Sequence, residues 1–217
     1  MGTLASNRKG FITGASASNY SAALNQTTGT ASDSQTNSQN AIQYFKSTGR
    51  GGGTYRFIRT FIHFDTSGIS GGSSFQLQLT SSGANGSPSS LSNTTAIKHT
   101  AGGSNGGELA NADFNNIDRN TAYSSATTFG SSGTVTFTLN ATAANQIINN
   151  NDFNVALLLS HDAAEEEEDM LESSGDVTNQ INFASAINLT YTDPASGYNH
   201  KLNGVAAASI GEVNTVA

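Results

Sequence analysis

The sequence predicts an all-β protein, an antiparallel jelly-roll-like β-sandwich with one short inserted helix. Three observations carry this. Some eight to ten short runs rich in β-branched and aromatic residues are separated by Gly, Ser and Asn turns. Parallel βαβ alternation is absent. The clear helix signal comes late, where Asn140 suits an N-cap and Ala141–Ile148 a short helix stopping at Asn149–Asn151.

The anchor is Tyr55–Ile69, YRFIRTFIHFDTSGI, bracketed by Gly51–Gly53 and Ser67–Gly68. Side chains alternate faces along a strand, so Phe57 and Phe61 share one face and Ile58, Ile62 and Phe64 the other. A strand apolar on both faces is a central one, covered on each side by protein. Its second cover is expected from other strands, a loop or a neighbouring subunit.

Taken in order, residues 1–9 read as a polar arm, and a short strand follows near Phe11–Thr13. Alternation resumes at Tyr20–Leu24, and 25–40 is a polar loop without an apolar anchor. A strand follows at Ala41–Lys46. Phe75, Leu77 and Leu79 alternate with Gln76, Gln78 and Thr80, which predicts a half-buried strand. Ser81–Ser92 reads as loop, with Asn85-Gly86 and Pro88 as turn signals. Thr94–Thr100 is a short strand, 102–107 a glycine-rich loop. The stretch 108–118, ELANADFNNID, is expected to hold a helical turn with Leu109, Phe114 and Ile117 as anchors.

Val135, Phe137 and Leu139 alternate with threonines as a second half-buried strand, and Val155–Ser160 is apolar throughout, a buried strand. The acidic run Glu165–Glu172 is read as a solvated loop. Strands around Ile181–Phe183 and Ile187–Tyr191 end at Pro194. The predicted organisation is an N-terminal arm over 1–14, a sandwich over 15–193 and a tail over 194–217.

Composition narrows the function classes. Charged residues make up 12% of the 217, about half the usual share, and the net charge is −7. The polar surface is therefore built from hydroxyls and amides. Nine Lys and Arg without a basic stripe give no footprint for nucleic acid. There is no cysteine, which excludes disulfides, thiolate metal sites and a Cys nucleophile. No apolar run reaches membrane-spanning length, so no membrane insertion is expected.

The chemistry-bearing residues form no convergent set. Gly102–Gly106 satisfies G-x-S-x-G, but the segment is a loop between short strands, without the strand-to-helix turn a nucleophile elbow needs. Asp162, Glu165 and Asp169 in the acidic run are the candidates for Ca²⁺, with a spacing that matches no EF-hand loop. His63, His99, His161 and His200 are scattered, and His63 is read as a packed residue. Arg59 and Asp65 are expected to form a structural ion pair, or Asp65 to cap the turn at Thr66–Gly68. Neither catalysis nor a cofactor is expected.

R-x-F-I-x-F-D-T-S at Arg59–Ser67 resembles the signature of DNRLRE-type β-sandwich domains. The order of the elements is similar as well. A half-buried strand follows at Phe75–Thr80, a strand feeding a short helix at Val135–Ile148, a buried strand at Phe153–Ser160, and a closing strand at Ile187–Asp193. The resemblance covers roughly 15–193. It implies a jelly-roll-like module that serves in some proteins as a carbohydrate-binding-module-like domain, in others as a structural piece of surfaces and phage particles.

In the tail, Leu202–Ala206 (LNGVA) recurs as Val213–Ala217 (VNTVA) and resembles the C-terminal repeats of marine phage virion proteins. The expectation is a non-enzymatic bacteriophage virion protein, a head decoration or tail component. It would dock as a homo-oligomer on other virion proteins, with Leu202, Val205, Ile210, Val213 and Val216 as assembly residues. The alternative is a carbohydrate-binding module or adhesin whose partner is a host-surface glycan.

Overall fold

In the computed structural model, the described residues are 1–33, 40–47, 53–85, 93–102, 107–128, 132–165 and 177–194. Twelve strands run in the order β1 (Gly2–Ala5), β2 (Arg8–Gly14), β3 (Gly29–Asp33), β4 (Asn40–Ser47), β5 (Thr54–Asp65), β6 (Ser73–Asn85), β7 (Asn93–His99), β8 (Ile117–Ala122), β9 (Thr127–Thr128), β10 (Gly133–Thr138), β11 (Asp152–Leu159) and β12 (Val177–Thr192). Short helices interrupt them: α1 (Tyr20–Leu24), a 3-10 turn (Asn111–Asn115), α2 (Ala141–Asn149) and α3 (Ser160–Ala164). The protein is all-β, and every strand pairing is antiparallel.

Two long strands divide the ladder into layers. Ile58 of β5 pairs with Gln43 of β4 on one edge and with Thr13 of β2 on the other. Beyond Ile58, β11 takes over the edge that β4 leaves. On β12, β4 pairs along 177–183 and β1 along 188–191, while β6 follows the opposite edge. One layer is thus β10-β6-β12-β1 and the other β3-β2-β5-β11-β7-β8, with β4 joining them. Register shifts in the β6–β12 ladder at Asn182–Ile187 are β-bulge irregularities, which bend and twist such a pair.

Side chains opposed across an antiparallel pair share a face. In the first layer Leu77 and Leu79 with Val135, Phe137, Ile187 and Leu189 are buried. The reverse face of the layer carries Gln76, Gln78, Thr80, Thr134, Thr136, Thr138 and Asn188, with no charge among them. In the second layer Phe64 lies opposite Phe153, whose ring meets Tyr123 at 5.0 Å. On the reverse face of β5, Phe57 packs edge-on against Tyr20 of α1 at 5.5 Å and Phe61 against His99 at 5.3 Å. The second apolar face of the central strand is therefore covered by the chain's own helices and loops, and Phe57, Ile58, Phe61, Ile62 and Phe64 are all buried.

Several expectations change. The N-terminal arm is strand: β1 lies on β12 and the Met1 ammonium sits 3.2 Å from Asp193. Tyr20–Leu24 is a helix, because the Asn19 side chain accepts from Ala22 N–H at 2.8 Å and starts a turn that buries Tyr20, Ala23 and Leu24. Within the polar loop, 29–33 forms β3 on β2, stabilised by backbone pairing rather than by apolar anchors. β6 continues to Asn85, through residues that read as loop. Ile117 opens a strand instead of anchoring a helical turn, which is confined to 111–115 around the buried Phe114. The two C-terminal strands are one, β12.

Candidate functional site

The charge-bearing residues of β5 are the first place to look for chemistry. Arg59 is 0% exposed and does not pair with Asp65. Its Nε and Nη2 donate to Asp162 Oδ2 and Oδ1, both at 2.8 Å, and Nη2 also to Leu24 O at 2.9 Å. Nη1 donates to Phe114 O at 2.9 Å and Asn115 Oδ1 at 3.3 Å, and the guanidinium lies 4.1 Å from the Phe114 ring centroid. All five guanidinium donors have acceptors, as a buried arginine requires.

Arg119 completes the cluster from β8, donating through Nη2 to Asp162 Oδ1 and through Nε to Asp162 O, both at 3.0 Å. Burial alone would raise the Asp162 carboxyl; Arg59, then Arg119, outweighs it and holds the group below the usual carboxylate value. The Ca²⁺ candidates are thus differently placed. Asp162 is neutralised by two guanidinium groups, Glu165 lies 3.5 Å from Arg119, and Asp169 falls outside the described residues. No group of three His, Cys, Asp or Glu suited to a metal occurs among the described residues.

Asp65 caps the turn after β5 instead, accepting from Ser67 N–H at 3.1 Å, and its hydrogen bonds to Ser67 lower its carboxyl. Beside it a recess of about 320 Å³ is lined by Asn7, His63, Asp65, Ser67, Asn151 and Asp152. His63 Nδ1 stands 2.7 Å from Asn7 Oδ1 and Nε2 stands 3.0 Å from Asp152 Oδ1. Asp65 N–H also donates to Asn7 Oδ1 at 3.1 Å, which fixes the amide's orientation. Both imidazole nitrogens are engaged, so neither is left to take a proton from a substrate.

The other histidines are structural too. His99 Nε2 donates to Ile62 O at 3.0 Å, and Nδ1 accepts from Ala101 N–H at 3.1 Å. Burial pushes its pKa down to about 4. His161 is buried against Tyr44, ring centroids 4.9 Å apart, and burial lowers it as well. Of the G-x-S-x-G segment, Gly102 is described: it takes φ +71° and its N–H donates to Asp113 Oδ2 at 3.1 Å. That ties the start of the segment to the 3-10 turn, and the rest of it, Ser104 included, lies outside the described residues. His200 and the tail residues Leu202, Val205, Ile210, Val213 and Val216 lie outside the described residues.

A larger recess, about 600 Å³, runs along β10, the terminal strand of its layer, where it faces the chain after β8. Its lining is Ala122, Ser124, Ser125, Thr127, Thr136, Thr138, Leu139 and Asn140. Asn140 pins it: N–H donates to Tyr123 O and Nδ2 to Ala122 O, both at 2.8 Å, while Oδ1 accepts from Ala143 N–H at 3.0 Å to cap α2. Ser124 Oγ is held as well, donating to Ser125 O at 2.9 Å and accepting from Ala96 N–H at 3.2 Å. The cap at Asn140 is legible in the sequence, but this second use of the side chain is not, because it needs the tertiary approach of β8. No aromatic side chain is exposed among the described residues, and Tyr20, Tyr44 and Tyr123 are core. Compared with protein-family models and with curated proteins, the sequence matches none.

Proposed function

We propose that the chain is a non-enzymatic structural protein of a bacteriophage virion, a head decoration or tail component that acts by subunit docking and surface display. The observation that carries this reading is the use made of the charged groups on the central strand. Arg59, Asp162, His63 and Asp152 are committed to one another and to neighbouring backbone and amide groups, a use of charge that supports architecture over acid–base work. The hydroxyl- and amide-bearing face of the first layer suits a particle surface that contacts neighbours without strong charge. Weak contacts of this kind gain strength from repetition along a particle.

The test is removal of 195–217 from the protein expressed during particle assembly, with incorporation followed by mass spectrometry of purified particles. Loss of incorporation with a folded sandwich supports docking through the tail. Undiminished incorporation removes that role. A second reading, a carbohydrate-binding module or adhesin domain, is favoured by the uncharged recess beside β10.

A further inference from the structure

We infer that the recess between β10 and the segment after β8 is a binding site for a neutral glycan. The inference rests on the second reading above and assigns it a place and a ligand class. Three features of the recess point the same way. Its volume, about 600 Å³, falls within the range of small-ligand sites. Its lining holds four hydroxyl side chains on one wall or the other besides Ser124, and one amide, but no charged group. Its walls are held rigidly, because Asn140 and Ser124 are locked by backbone partners.

Against this fixed frame, the hydroxyls of Ser125, Thr136 and Thr138 make no hydrogen bond among the described residues. Each presents one donor and two acceptor positions, and a sugar hydroxyl offers the same set in return. Thr136 and Thr138 stand two residues apart on one face of β10, so their spacing is set by the strand, roughly 6.6–6.8 Å. The strand holds this spacing before any ligand arrives, which cuts the ordering cost of binding.

The ligand class follows from charge. An acidic sugar would find no cation in the lining and would enter the field of a chain of net charge −7. An amino sugar bearing a cation would find no carboxylate there. A neutral saccharide meets neither penalty. With no exposed ring to stack upon among the described residues, single-site affinity rests on hydrogen bonds and is on the order of millimolar, so repeated display is what makes it effective.

The experiment is a glycan array probed with the full chain multimerised on beads, beside T136V/T138V and S125A variants. Thr→Val keeps shape and β propensity at two outward positions, and circular dichroism checks the fold. The expected result is retention of neutral glycans only, weakened roughly five-fold for each hydroxyl removed and so about twenty-five-fold for the pair. Neutral-glycan binding that survives T136V/T138V and S125A overturns the site while the adhesin reading stands. Preference for acidic glycans overturns the ligand class. Absence of binding to every glycan overturns the adhesin reading and the site with it.

Discussion

Acidification should destabilise this protein well before its carboxylates titrate, through His99. The ring is buried, donating from Nε2 to Ile62 O and accepting at Nδ1 from Ala101 N–H. Protonation at Nδ1 would set one N–H against another and place a charge at a buried position. The groups that bear on it are His63, which disfavours the charge, and Asp113, which favours it more weakly than burial opposes it. The folded pKa, about 4, lies below the unfolded value of 6.5, so the unfolded chain binds the proton first. Stability is therefore complete above pH 6.5 and lost as pH falls from 6.5 to 4.

A tenfold difference in proton affinity between the folded and unfolded chain is worth about 1.4 kcal/mol. The loss is then about 2 kcal/mol between pH 7 and 5 and about 3 kcal/mol by pH 4. Urea unfolding followed by circular dichroism should show the midpoint moving down by about 1 M over that range. His161, lowered by burial, acts in the same direction. The His99→Gln variant isolates His99: it is less stable at pH 7, and its profile is flatter by one proton's slope. Asp162 and Asp65, both held below the ordinary carboxylate value, release their contributions only at more acid pH. A wild-type midpoint constant from pH 6.5 to 4.5, or an equal slope in His99→Gln, would rule out His99 as the source of acid sensitivity.

Three further outcomes are expected. Arg59→Met leaves the buried Asp162 carboxylate with Arg119 as its remaining guanidinium partner and removes the donor to Leu24 O and Phe114 O, and should cost about 3 kcal/mol; adding Asp162→Leu should recover part of that, as urea midpoints of the single and double variants will show. Asn140→Ala removes the α2 cap and the bond to Ala122 O, for about 1–2 kcal/mol, whereas Asn140→Asp keeps the cap and should lose less, measured by thermal unfolding. Gly2 sits over the Tyr191 ring with no room for a Cβ, so Gly2→Val should lift β1 off β12 and speed amide exchange at Thr3–Ala5 while β5 stays protected.

The strands that could be read from sequence are those with their own apolar pattern. Tyr55–Asp65, Phe75–Thr80, Thr134–Thr138 and Val155–Leu159 carry alternation or continuous apolar character, and the structure places each as a strand. Asn140 likewise signals α2 by local chemistry. β1 and β3 escaped because polar or small residues become strand only by pairing with β12 and β2, a tertiary effect. Asp162 was hidden for the opposite reason. It stands at the head of an acidic run, where a carboxylate reads as solvated, and only the fold brings Arg59, 103 residues away, and Arg119 to its oxygens. The recess beside β10 had no local signature, since its two walls come from separate segments and its residues are the commonest types in the chain.

The place of β12 in the ladder sets the order of events during synthesis. β12 is the last strand made among the described residues, yet it lies between β6 and both β4 and β1, the last of these some 185 residues upstream. Until Thr192 has left the ribosome, β6 and β1 lack their common neighbour, and the apolar face of Leu77 and Leu79 lacks Ile187 and Leu189 beside it. The first layer therefore closes after translation of β12, through contacts of long sequence separation, which fold slowly. A nascent chain stalled before residue 177 would display the unpaired edge of β6, the form of this protein most prone to pair with a copy of itself.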